Sequence, residues 1–101
     1  MNTEIMKTID EINLMFDVFC EKIASEHHKG RDCVWYIGFD RWTDNFIVSH
    51  NGYWLDDILI ETQDLFKALT QFRDIVKSRM QREFSDYDFE QHCAKEIVKN
   101  E

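Results

Sequence analysis

Cys93 directly follows His92, and a thiol beside an imidazole is the pairing that nucleophilic catalysis uses. Neighbours on a helix point about 100° apart, however, so adjacency gives no thiolate–imidazolium contact, and Cys93 reads as a small core residue. Cys20, His27, His28 and Cys33 are zinc-ligand types, as are His92 and Cys93. Structural zinc sites pair their ligands at short spacing such as C-x2-C, which is absent. Asp56-Asp57, or Asp40 with Asp44, could meet a divalent ion but lack the loop pattern of a calcium site. There is no glycine-rich phosphate loop, no G-x-S-x-G and no H-E-x-x-H. The expectation is a protein that is not an enzyme, with no catalytic residue, no metal ligand and no cofactor.

Charge is more informative than chemistry. Twenty acids against 12 Lys and Arg give a formal charge of −8, which opposes general binding to DNA or RNA, whose phosphates need basic surface. The excess is segmented. Residues 40–64 hold Asp40, Asp44, Asp56, Asp57, Glu61 and Asp64 against Arg41, a balance of −5. Residues 65–82 reverse sign, with Lys67, Arg73, Lys77, Arg79 and Arg82 against Asp74 giving +4. Residues 83–91 hold Glu83, Asp86, Asp88 and Glu90 without a base, giving −4. Like-charge fields cost stability through self-repulsion and suit a surface that meets a basic partner. Each cluster by itself also fits a solvated surface or ordinary helix-start acids.

Trp42 and Trp54 stand near the connections of that acidic stretch, Trp42 between Arg41 and Thr43. Large aromatics can close the edge of a small core. Inside an acidic rim they also have the make-up of a binding anchor, to which Tyr53 and Tyr87 could add.

The elements that must position these residues follow from periodicity. Ile5, Ile9, Ile12, Phe16, Phe19 and Ile23 recur at helical spacing, with Asn2 or Thr3 as the cap and Gly30 as a stop. Met6, Leu14, Met15 and Val18 widen this apolar face and suggest a second contact surface. Cys33–Phe39 changes to strand chemistry, placing Trp35, Ile37 and Phe39 on one face. Phe46-Ile-Val48 and Tyr53-Trp-Leu55 flank Asn51-Gly52, the strongest short signal for a two-residue hairpin. Asp56-Asp57 then marks a bulge or strand end, and Ile58-Leu-Ile60 extends the last strand or starts another.

Thr62 is the expected cap of a second helix striped by Leu65, Leu69, Phe72, Val76 and Met80. Phe84-Ser85-x-x-Asp88-Phe89 signals a third helix. The expected fold is α+β, one domain over residues 1–101, with a three-stranded antiparallel meander packed with helices in the order α-β-β-β-α-α.

Acids interrupt the first 26 residues throughout, so neither a signal peptide nor a membrane span is expected there. Three cysteines without framework spacing suggest reduced thiols and a cytoplasmic protein. The order α-β-β-β-α is that of a double-stranded-RNA-binding domain. Those domains place a lysine cluster at the start of the last helix, where this chain has Glu61, Thr62, Gln63 and Asp64. No direct contact with nucleic acid is therefore expected.

In element order and acidity the chain resembles small phage or mobile-element inhibitors, including anti-CRISPR proteins of α-β-β-β-α-α order. It is similar in size and character to bacterial toxin-immunity proteins. The resemblance covers the whole chain at the level of architecture. It implies an acidic inhibitor of a basic protein that handles nucleic acid: a nuclease toxin, a restriction enzyme or a CRISPR effector. The expected contact residues are Asp40, Trp42, Asp44, Asp56, Asp57, Glu61, Asp86, Asp88 and Glu90. The alternative is a homodimeric structural or adaptor module that buries Met6, Met15 and Val18 between subunits.

Overall fold

A computed structural model describes residues 3–22, 32–53 and 55–84. Among them the order is α1 (Thr3–Lys22), β1 (Tyr36–Asp40), β2 (Asn45–His50), β3 (Ile58–Thr62) and α2 (Leu65–Glu83). The three strands form an antiparallel sheet in the order β1-β2-β3, so the fold is α+β with an α-β-β-β-α succession. The expected third helix, Gly30 and Trp54 lie outside the described residues.

α2 lies against one face of the sheet, and α1 packs on α2, reaching β2 where Phe16 meets His50. Ile12, Met15, Phe16 and Phe19 of α1 meet Leu69, Phe72, Val76 and Met80 of α2 in a core that Val48, Ile58 and Ile60 complete from the sheet. Phe16 stacks on Phe72 at 6.2 Å, and Trp35, just ahead of β1, stacks on the same ring at 5.4 Å. Thr8 is buried on the α1 stripe because its hydroxyl donates to the Glu4 carbonyl at 2.8 Å, which satisfies it inside the helix. Met15 is fully buried within this core, so it is not available to a second contact surface on α1. Phe84 closes the end of α2 against Phe19, with the Lys22 ammonium 5.3 Å from its ring centre.

The second half of the meander differs from the hairpin that Asn51-Gly52 predicts. The third strand is Ile58–Thr62, not Tyr53–Leu55, and residues 51–53 and 55–57 are irregular. A two-residue hairpin turn of that kind needs left-handed backbone at both positions. Neither Asn51 nor Gly52 has a positive φ; Asp56 does, at 62°. The Gly52 amide donates to Asp57 Oδ1 at 3.0 Å and the Tyr53 amide to Asp32 Oδ1. Asp32 thereby takes the Tyr53 amide, which a two-residue turn would have paired with the His50 carbonyl.

Two further expectations are corrected. The cap of α2 is Asp64, whose side chain accepts from the Lys67 amide at 3.2 Å. Thr62 stands one step earlier, its hydroxyl accepting from the Asp64 amide at 3.4 Å. Asp reaches the free amides of a first turn as well as Thr does, and its charge suits the positive end. Cys20 and Cys33, expected as free thiols, form a disulfide with Cα atoms 5.6 Å apart. The last turns of α1 lie beside the segment that enters β1, which brings two cysteines 13 positions apart within bridging reach.

Candidate protein-binding surface

The β1–β2 connection is a four-residue turn, residues 41–44, closed by the pair Asp40 and Asn45. Asp40 Oδ1 accepts the Trp42 amide at 2.9 Å, a side chain folding its own backbone two residues on. Asp44 takes the left-handed position, φ 57°, which Asp tolerates better than a β-branched or bulky residue. Glu61 reaches over from β3, where its Oε1 accepts from Thr43 Oγ1 at 3.2 Å and Asn45 Nδ2 at 3.3 Å. Trp42 is 97 % exposed on this braced turn, and with Arg41 it lines a shallow recess. It does not close the edge of the core.

Four of the expected contact residues, Asp40, Trp42, Asp44 and Glu61, thus meet at one end of the sheet. Asp56 and Asp57 do not join them. They precede β3 at the opposite end, where basic residues of α2 meet them. Arg82 lies 3.9 Å from Asp56, and Arg79 donates to the Asp57 and Leu55 carbonyls. The Asp57 carboxylate is committed to the Gly52 amide. The basic run of α2 is therefore largely paired: Arg73 also meets Glu11 at 3.5 Å and Asp74 at 3.2 Å. Asp86, Asp88 and Glu90 lie outside the described residues.

Composition alone misses the rest of this surface. Strand register aligns Tyr36, Ser49 and Leu59 in one row, Gly38, Ile47 and Glu61 in the next, and Asp40 with Asn45 nearest the tip. Alternate residues of a strand share a face. These rows form the face opposite the helices, and no described element covers it. Tyr36 and Leu59 are well exposed there. The signal for them is phase: Leu59 falls between the core positions Ile58 and Ile60, and Tyr36 one residue out of step with Ile37 on the helix side. The outer face is thus apolar at one end and acidic toward the tip, where Trp42 stands beyond it.

The far end of the sheet encloses its polar groups. His50 is fully buried and edge-on to Phe16, ring centres 5.0 Å apart. Its Nδ1 lies 2.8 Å from the Val34 carbonyl, an acceptor only, so the proton sits on Nδ1 and Nε2 carries the lone pair. Nε2 faces Gly52, where a Cβ would overlap it, and has no hydrogen-bond partner among the described residues. Burial lowers the His50 pKa below 6.5, outweighing the Val34 bond and the Asp32 and Asp57 charges that favour the imidazolium. Arg79 adds to the lowering.

Comparison with protein-family models, with curated proteins and with solved structures finds no match. No helix among the described residues is long and apolar enough to cross a membrane.

Proposed function

We propose that this protein is a binding inhibitor of a basic, nucleic-acid-handling protein, in anti-defence (against a restriction or CRISPR effector) or in immunity to a nuclease toxin. The observation that carries the reading is Trp42, almost wholly exposed on a turn braced by its own hydrogen bonds and ringed by Asp40, Asp44 and Glu61. An aromatic held rigidly in water loses little freedom on docking, and surrounding carboxylates speed encounter with a basic surface. The inhibitor acts by occupying the surface that phosphates would occupy and by blocking it sterically. The anchor sits at the tip, and the outer sheet face extends the contact.

The reading places the protein in the cytoplasm with its partner. The thiol pool there works against the Cys20–Cys33 bond, so in that compartment the apolar core, not the cross-link, has to carry stability.

The test is affinity capture from a host lysate with the intact protein and three tip variants. Trp42→Ala removes the anchor, Asp44→Asn keeps the left-handed turn without the charge, and Glu61→Gln keeps an acceptor. The expected outcome is a basic nuclease or nucleic-acid-binding effector, retained by the parent protein and lost from Trp42→Ala. Weaker retention is expected from the two charge variants as salt rises. Equal capture by parent and Trp42→Ala, or captured proteins that are themselves acidic, would overturn the reading.

A further inference from the structure

The two edges of the sheet differ in a way that inhibition does not use. β3 is guarded as solvent-facing edges usually are: Asp56 and Asp57 precede it, Glu61 lies within it and Asp64 follows it. Arg79 from α2 also lies against the carbonyls of Leu55 and Asp57 at its start. β1 is guarded less: it holds no proline and no lysine, and its one acid stands at its last position. α2 packs on β2 and β3 rather than on β1, and α1 packs on α2. Ile37 and Phe39 point to the helix side yet remain 43 % and 51 % exposed, and the Phe39 ring meets Phe46 at 5.1 Å.

We infer that the β1 edge is a contact between two copies of this chain, paired antiparallel about Gly38. That register is self-complementary at every position of the strand. Gly38 meets Gly38 of the second copy, where the absent side chains and the open space above them allow close approach. Ile37 meets Phe39 on the helix side, joining two exposed apolar ledges into one strip. Tyr36 meets Asp40 on the outer side, where the phenol can donate to a carboxylate oxygen. No like charges oppose one another. The acidic tips point away from the two-fold axis in opposite directions, so dimerisation leaves both Trp42 anchors free. Five-residue pairing falls below the roughly 800 Å² per partner of a standard interface, so the dimer forms at high concentration rather than obligately.

Sedimentation equilibrium of the full chain from about 5 to 500 μM is expected to show the average mass rising from one chain toward two. Ile37→Asp should hold it at one chain with unchanged circular dichroism. Gly38→Cys should cross-link to a covalent dimer under mild oxidation, because directly opposed strand residues lie about 4.5–5.5 Å apart. Tyr36→Cys, opposite Asp40 in this register, should cross-link no faster than the parent with its Cys93. A constant one-chain mass throughout the range overturns the inference. So does a dimer that survives in folded Ile37→Asp, or equal cross-linking of Tyr36→Cys and Gly38→Cys. If Ile37→Asp does not fold, the two cysteine variants decide the question alone.

Discussion

The two ends of the sheet use carboxylates for opposite purposes. At the tip, Asp40 and Glu61 brace a turn from its solvent side, and Asp44 supplies an unusual backbone angle, so their charges stay in water around Trp42. At the far end, Asp32 is buried against the Tyr53 amide, and Asp57 holds the Gly52 amide beside a buried imidazole. Each of these carboxylates counts equally in a net charge. Burial and the acceptor role decide which of them a partner can feel, and Asp56 and Asp57 of the expected contact set turn out to be engaged by Arg82 and the Gly52 amide.

The sharpest way to break this contrast uses two glycines, Gly52 at the enclosed far end and Gly38 in the open middle of β1. A Cβ at Gly52 overlaps His50 Nε2, and the ring cannot swing aside because it is fully buried and tied to the Val34 carbonyl. Gly52→Ala is expected to cost about 2–3 kcal/mol, as overpacking of a filled interior does. At Gly38 a Cβ enters open space within a strand, so Gly38→Ala is expected to be neutral or to gain about 0.5 kcal/mol. Urea midpoints for both variants check the pair; similar midpoints would mean that the far end is not tightly enclosed.

Acid is expected to act next most strongly, and on the far end. His50 is held neutral in the fold because burial lowers its pKa, and unfolding returns it to about 6.5. Above that value neither state binds the proton and stability is unaffected. As the pH falls from 6.5 toward the lowered folded value, only the unfolded chain takes the proton. Stability then drops, by at most about 1.4 kcal/mol per pH unit, the limit for one proton. Urea melts at pH 7.5, 6.5 and 5.5 measure this, and the slope should flatten in His50→Gln. An unchanged slope in that variant would remove the imidazole as its source.

Legibility followed the same divide. Helical spacing located both helices and their buried stripes, because Leu69, Phe72, Val76 and Met80 answer to a period that a single chain displays openly. The alternation Trp35, Ile37, Phe39 identified the helix-side face of β1, and the polar stretch around Trp42 identified the exposed tip. The far end was not readable. Asn51-Gly52 signals a hairpin locally, and what overrides it is distant in sequence: Asp32, 21 residues before Tyr53, and Arg79, 24 after Leu55. Cys20 and Cys33 likewise become neighbours only once α1 and β1 are placed. The self-complementary edge needed register, which depends on where β2 ends rather than on β1 itself.

The smallest effect on stability is expected where the effect on binding is greatest. Trp42 is 97 % exposed, and its turn is held by the Asp40 carboxylate accepting the backbone amide, a bond that alanine at position 42 leaves in place. Trp42→Ala should therefore shift the urea midpoint by no more than about 0.5 kcal/mol, the usual range for an exposed substitution. Asp44→Gly should do as little or stabilise slightly, since glycine takes the left-handed angle without strain. An anchor of this kind contributes about 2 kcal/mol or more to a complex, which is roughly a 30-fold loss of partner affinity in Trp42→Ala. A large stability loss in Trp42→Ala would mean that the indole packs at home rather than waiting for a partner. The tip would then belong to the same structural class as the far end.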